Sequence, residues 1–425
     1  MRPTASCRSA RIRASRWALS DNSGMLQSFA RSALQLPLPH MITLFLVVFL
    51  DLIGFGMIIP AFPFYARQVG VSPSSVIFFL GLYSLGQLVG APLWGSLSDR
   101  IGRRPVLLIT LLANVAASLM LAFSTTGTML AISRVVAGLA AGNISAAFAY
   151  TTDITTDETR PRALGLLGSA FGMGFILGPA LGGLLAGSNP DDPGAIARVA
   201  YGAATLSFLA FLLTAARLPE SLSPEKRAMG VGARPSMLSF IRRPFLRDLL
   251  LATLIVVAAV ALFQTTFALW ASDSLAVGPR GLGWLYGFVG VISVAVQAGL
   301  IGMLTKRFGA ASLTRAGALC IALGMALIPP AHTIPMVLPA LALFAIGSAM
   351  FNPSMSGLVA GTAAPHERGA VLGAYQGAAS LGRVIGPFAA SGVARISTLS
   401  WPFVLGAAVS LAGMVLIHTR PKEQP

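Results

Sequence analysis

The sequence predicts an all-α membrane protein, with twelve transmembrane helices in two pseudo-symmetric six-helix bundles. Three observations predict it. Apolar and aromatic residues make up 55% of the 425-residue chain. A soluble domain of this size cannot hide that much, because its surface must be largely polar. Long stretches with few or no charges recur from Met41 to His418, each able to cross a hydrocarbon core of about 30 Å at about 1.5 Å per residue. Finally, two glycine-marked patterns recur in the second half of the chain at nearly the same offset. A transmembrane β-barrel would show roughly ten-residue segments of alternating polarity, and these stretches do not alternate.

Residues 1–40 come first. They are rich in Arg and Ser with the single acid Asp21, a transit-peptide-like composition. They read as a disordered extension or as residues ahead of the true start, for which Met25 and Met41 are candidates. The first bundle, 41–216, holds spans at about 41–65, 75–97, 105–124, 128–151, 163–187 and 198–216. A linker at 217–248 carries Arg217, Lys226, Arg227, Arg234, Arg242, Arg243 and Arg247. The second bundle, 249–418, holds spans at about 249–271, 283–304, 311–329, 336–359, 370–392 and 401–418, and 419–425 form a tail.

Charge gives the orientation. With the loop from Arg67 to Ser74 set outside, the loops on that side hold only Arg67, Arg198, Arg280 and Arg395. The other side, linker included, is far more basic. This positive-inside bias predicts both termini in the cytoplasm and a multi-pass protein of the inner (plasma) membrane. It also accounts for the net charge of +16 without nucleic acid, whose binders gather charge on one face beside aromatics. Cys7 and Cys320 cannot make a disulfide framework.

The repeats are specific. Gly95-x6-Gly102 follows the second span and Gly302-x6-Gly309 the eighth. Arg160, Gly165, Gly174, Gly178 and Pro179 around the fifth span return as Arg368, Gly373, Gly382, Gly386 and Pro387 around the eleventh. A duplicated six-helix unit follows. Two such bundles can rock about a site at the midplane and open it to one side at a time, as a transporter requires.

The loop GSLSDRIGRRP packs Asp99, Arg100, Arg103 and Arg104 between two apolar runs. It resembles the loop 2–3 signature of the major facilitator superfamily, G-x-L-x-D-R-x-G-R-R. A basic loop that only anchors topology needs no acid. The alternative is a cytoplasmic gate in which Asp99, spaced by Gly95 and Gly102, faces a helix end of the other half and latches the outward-facing state. The copy at Gly302 has Lys306 in place of the acid. In the fifth span, Gly165, Gly174, Gly178, Pro179, Gly182 and Gly183 resemble the family's antiporter signature. Ordinary small-residue helix packing is the other reading. The resemblance implies a kinked helix whose glycine face meets a neighbour from the other half and blocks leaks.

LDLIGFGMIIPAFP, in the first span, is similar to the first helix of twelve-span drug/proton antiporters, especially tetracycline efflux pumps. Its Asp51 stands out without that resemblance. Of fourteen acids, it alone lies well within a span, where an ionised carboxylate costs about 2.5–3.5 kcal/mol. It is either a proton carrier or a structural acid hydrogen-bonded within its bundle. Arg134, with Gly138, resembles the family's fourth-helix R-x-x-x-G pattern. It either tunes the proton site or snorkels to the outer interface. Asp153 matches an acid found there in tetracycline pumps and equally suits a helix terminus. Arg383, mid-span in the eleventh helix, is expected to pair with Asp51 across the cavity or to hold an anionic substrate group. Gln87, Asn143, Gln264, Gln297, Asn352 and Gln376 are candidates to line the cavity or to bond neighbouring helices.

Nothing in the sequence indicates an enzyme. It holds no P-loop, no metal-ligand spacing at His332 or His366 and no nucleophile motif. The resemblance, over about 41–418, implies a proton-driven exporter of small amphiphilic, tetracycline-like drugs. A proton-coupled importer or metabolite exporter of the same fold is the alternative. The expected partners are a small-molecule substrate and the lipid bilayer, with the proton as coupling ion, no cofactor, and a monomer sufficient.

Overall fold

Every regular element in the computed structural model is helical among the residues it describes, which are 38–156, 158–222, 242–363 and 367–417. Nearly all of the expected N-terminal extension, most of the linker and the tail 419–425 lie outside the described residues. The first half contains α1 (Leu38–Gln68), α2 (Pro73–Ile101), α3 (Arg103–Ala122), α4 (Gly127–Ala140), α5 (Asn143–Asp153), α6 (Arg160–Ala186) and α7 (Ala195–Arg217). The second contains α8 (Pro244–Leu275), α9 (Pro279–Ala295), α10 (Ile301–Phe308), α11 (Ala310–Ala326), α12 (Ile334–Ala360), α13 (Arg368–Ile396) and α14 (Trp401–Val415). The starts of α2 and α4 are capped as their sequences dictate. The Ser72 hydroxyl accepts from the Ser75 amide with Pro73 next in line, and Thr126 accepts from Met129.

All twelve expected spans are helical, but two are interrupted. The fourth breaks between α4 and α5 at Ala141 and Gly142. There α2 and the broken span come too close for side chains: a Cβ on Gly142 would stand 2.6 Å from the backbone of Gly90. The Trp94 indole N–H donates to the Leu139 carbonyl at 2.8 Å, and the Ser145 hydroxyl to that of Ala91 at 3.1 Å, so polar groups at the break are paired by neighbours. The eighth span runs through α9, a wide π turn at Val296–Leu300 and α10. Eight helices, counting α4 with α5, are long and apolar enough to cross a membrane. The other four spans fall short for visible reasons. Helix α13 carries Arg368, Arg383 and Arg395, the α9–α10 span is divided, and α11 and α14 have only 17 and 15 residues.

The halves repeat one another in packing. In the first, α6 lies along α1; in the second, α13 lies along α8. Between the halves, α13 packs on α2 and α6 on α9. We call the end with the Gly102 and Gly309 turns the basic end. At the opposite end the halves are joined. Arg67 pairs with Asp273, the Ser391 hydroxyl donates to the Ser74 carbonyl at 2.8 Å, and the Arg280 amide donates to the Gly187 carbonyl at 3.1 Å. Toward the basic end, Gly165 and Gly168 of α6, Gly299 and Gly302 of the eighth span, and Gly369 and Gly373 of α13 face open space. Among the described residues the polar contacts between the halves thus gather at the end opposite the basic one.

Candidate functional site

Asp51 is in α1, three residues before a glycine that lets α1 approach α7: a Cβ on Gly54 would stand 3.3 Å from the Ala203 carbonyl oxygen. The carboxylate points into its own bundle. Its Oδ1 accepts from Asn114 Nδ2 of α3 at 2.9 Å and from the Ser207 hydroxyl of α7 at 3.4 Å. Its Oδ2 accepts from Asn143 Nδ2 at 2.9 Å. Hydrogen bonds to a charged group are worth about 1.5–3 kcal/mol each. All three partners donate, and so serve the ionised form. The protonated form is served as well. Among the described residues the Asn143 Oδ1 is buried without a hydrogen-bond partner, and an amide turned about its last bond presents that oxygen to a carboxylic O–H.

Arg134 is buried, 2% exposed, on α4. It lies over the Phe62 ring at 5.4 Å from the centroid, with Nε 3.4 Å from the Ser133 hydroxyl. Its Nη2 has no hydrogen-bond partner among the described residues. Arg134 and Asp51 do not touch; they line one cavity of about 30 Å³, with Tyr83, Asn114, Ser118 and Ser207. Such a volume admits a water. The interface alternative for Arg134 requires an exposed guanidinium, and this one is enclosed.

Arg383, half-buried on α13, donates from Nη2 to the Ser380 hydroxyl at 3.0 Å. Among the described residues no hydrogen bond or ion pair joins Arg383 to Asp51, and Arg383 is not part of the wall of the cavity that Asp51 lines. The Tyr375 hydroxyl, earlier on the same helix, donates to the Asn352 carbonyl at 3.3 Å. Of the other uncharged polar candidates, Gln87 is half-buried, and Gln264, Gln297 and Gln376 are exposed. Gln297 stands within the π turn. Beside Tyr83, an aromatic cluster covers the first half: Phe55 stacks on Tyr83 with centroids 4.5 Å apart and meets Phe175 edge-on at 6.0 Å.

The charged loop is tied within its own half. Gly102 adopts φ 109°, open to glycine and strained for any other residue. Arg103, 7% exposed, pairs with Asp99, with Asp153 Oδ2 at 3.0 Å and with the Ser98 hydroxyl at 2.7 Å. Ser221 donates to the same Asp153 oxygen at 3.1 Å. Glu220 accepts from the backbone amides of Arg103 and Arg104 at 2.9 and 3.2 Å, a carboxylate at a helix N-terminus. Arg104 Nη2 donates to the Ala215 carbonyl at 2.7 Å, and Arg100 is exposed. Gly95 lies near Ser145 of α5, with room for a Cβ at 3.6 Å.

The glycine run of α6 divides its work. A Cβ on Gly174 would meet Leu52 at 2.7 Å, on Gly178 the Gly56 Cα at 2.8 Å, and on Gly182 the Met57 carbonyl oxygen at 2.0 Å. These three, with Pro179 set against Gly56, seat α6 on α1 of the same half. Toward the other half, Gly183 meets Gly283 Cα at 2.9 Å and the Pro179 carbonyl oxygen lies against Gly283 as well, while Gly165 meets nothing. The motif therefore has two faces, Gly174, Gly178 and Gly182 toward α1 and Pro179 with Gly183 toward α9, because the 3.6-residue turn sends adjacent positions to different neighbours. Gly382 and Gly386 repeat the seating against Leu254 and Ala258 of α8. Among the residues that sequence reasoning passed over, Asn114 carried a signal, an amide in the middle of an apolar span. Tyr83, Ser207 and Glu220 carried none, since each type is common at such positions.

Comparison with known proteins agrees with this architecture. The family model described as Major Facilitator Superfamily matches residues 44–344 and 249–425. The chain is 31% identical to the tetracycline resistance protein, class C, of Escherichia coli, over 86% of this chain and 92% of that one. It is 24% identical to multidrug resistance protein 2 of Bacillus subtilis, over 87% and 92%. The solved structure of the human organic anion transporter MFSD10 superposes with a TM-score of 0.66 at 22% identity, covering 89% of this chain and 99% of that one; at that identity the likeness speaks for the fold alone.

Proposed function

The chain belongs to the major facilitator superfamily, and we propose that it is a proton-coupled exporter of small amphiphilic drugs of the tetracycline kind. The observation that carries the coupling is the Asp51 pocket, a lone mid-span acid held by neutral groups that suit both of its protonation forms. The substrate class is supported by the named relatives, tetracycline and multidrug resistance proteins. It is supported also by the aromatic cluster of Phe55, Tyr83 and Phe175, two of which line the Asp51 cavity, a surface that suits a flat compound with polar edges. On the positive-inside bias we take the basic end as cytoplasmic, and the end at which the halves are joined as external.

In the cycle, Asp51 takes a proton from outside and the inward-facing state is favoured. Drug enters from the cytoplasm, the proton leaves, and the loaded carrier turns outward. Asp99 then leaves its present partners for the far half and latches the basic end. A potential of about 100 mV supplies roughly 2.3 kcal/mol per charge, and each pH unit about 1.4 kcal/mol per proton. With one proton per drug these sustain a roughly hundredfold to thousandfold gradient.

The test is susceptibility of a host stripped of its own pumps, across a panel that includes tetracyclines. Expression should raise resistance, and a protonophore should abolish the gain. No protection against any compound, or protection indifferent to the protonophore, overturns the reading.

A further inference from the structure

Arg383 is a cation near the middle of α13, a depth at which a charge without a counter-charge is costly. The second half offers it no acid among the described residues. Asp248, Asp273 and Glu367 all stand near helix ends, and they pair with Arg247, Arg67 and Arg243. Asp51 is held within the first bundle. Among the described residues Arg383 makes one hydrogen bond, to Ser380 of its own helix. Its position on α13 gives its surroundings. Gly369, Gly373, Gln376, Ser380, Arg383 and Pro387 follow one another at steps of four and three residues, and so form one stripe of the helix. The stripe starts in open space at Gly369 and Gly373. It continues through exposed Gln376 and half-buried Ser380 and Arg383. It ends at Pro387, whose Cβ would stand 3.0 Å from a Cβ on Gly81 of α2. Arg383 is therefore the last side chain of the stripe before α13 touches the first half. Leu381 and Ile385, apolar and exposed, lie about 160° round the helix from it. Those two mark the face suited to lipid, and the stripe of Arg383 is a different one.

We propose that Arg383 binds the negatively charged edge of the exported compound, and so selects flat amphiphiles that carry an anionic group. A guanidinium presents a planar fork of donors that matches a carboxylate or an enolate. The Ser380 hydroxyl accepts from Nη2 and orients that fork. Gln376, two turns nearer the basic end on the same stripe, adds a neutral donor and acceptor for the polar edge of the compound. The bound anion supplies the counter-charge that no described acid supplies, and the loaded site is favoured over the empty one for that reason. Tetracycline carries such an edge in its ionised keto–enol groups. The assignment rests on the exporter reading above, and it names the chemical class that the exporter prefers.

The test is equilibrium binding to the purified full chain, read by fluorescence polarisation with two dyes on one xanthene frame, the anion fluorescein and the cation rhodamine 6G. The wild type should bind fluorescein the more tightly. Arg383→Gln should weaken fluorescein by about tenfold or more, the worth of one charge-assisted hydrogen bond, and should tighten rhodamine 6G, which the guanidinium repels. Arg383→Lys keeps the charge and should keep the preference for the anion. Gln376→Glu leaves Arg383 in place and sets a carboxylate on the same stripe, so it should also move the preference from fluorescein toward rhodamine 6G. This second variant decides if Arg383→Gln does not fold. A wild type that binds neither dye, or both equally, overturns the proposal. So does an Arg383→Gln variant in which the ratio of the two affinities is unchanged, or in which both dyes weaken alike, since the residue would then only shape the helix junction. The exporter reading fails elsewhere, in the susceptibility panel, and the dye ratio is measured without transport.

Discussion

The Asn143 amide donates to Asp51 Oδ2 at 2.9 Å from the first residue of α5, the helix that begins where the fourth span breaks. The break and the acid belong together. Gly142 sits against Gly90, and the short non-helical step that results turns Asn143 inward to meet α1. Asn143→Leu should therefore leave Asp51 with two donors and disfavour its ionised form by about 1.5–3 kcal/mol. The pH midpoint of drug-driven proton release should move up by about one to two units. An unmoved midpoint with normal transport would make Asn143 a bystander.

Asp51→Asn should abolish proton-coupled export and leave the protein inserted. The amide fits the same pocket, since Asn114, Asn143 and Ser207 offer both donors and acceptors. Proton release on drug addition is the measurement. Wild-type release and wild-type resistance would remove Asp51 from the mechanism.

Asp99→Asn tests the gate. In the present arrangement Asp99 is held by Arg103 of its own loop. A latch to the other half forms only when the basic end closes, so the variant should populate the open form more. Spin-label distances between α2 and α13 at the basic end should lengthen on average. If they do not and transport is normal, the loop is a topology anchor.

At the opposite end, Arg67 and Asp273 pair across the halves with side chains 29% and 44% exposed. An ion pair so wetted contributes at most about 1 kcal/mol. Asp273→Asn should shift the balance toward the form open at that end by no more than about fivefold. The readout is the same spin-label experiment with probes at the Arg67 end. A complete loss of the form closed there would mean that this contact, and not the helix packing around Gly183, holds it.

Glycines of one motif should differ sharply. Gly182→Ala drives a methyl carbon to 2.0 Å from the Met57 carbonyl, which α6 can relieve only by moving off α1. Gly165→Ala enters open space. The first should lower thermal stability by about 2 kcal/mol or more, and the second should stay within about 0.5 kcal/mol. Fluorescence-detected melting of the two variants compares them directly. Equal melting temperatures would mean that α6 does not rest on α1 at this level.

The sequence by itself determined the class of fold, and it predicted twelve spans and an internal repeat. Those follow from hydrophobic length and from glycine spacing, which act locally along the chain. It also isolated Asp51, because a lone acid in an apolar span is costly enough to stand out in composition. What only the tertiary structure decided is which groups share a space with that acid. Arg383 is a cation in the other half, yet its hydrogen bond among the described residues goes to Ser380 of its own helix and not to Asp51. Asn143, read as lining the cavity or bonding a neighbouring helix, holds the carboxylate of α1 from within the same bundle. Asp99 and Asp153, far apart in the chain, are held by one guanidinium. Helix rotation and depth decide such encounters. They are set by where backbones can touch, at Gly90 with Gly142 and at Gly138 with Tyr83, and no single helix's sequence encodes its partner's approach.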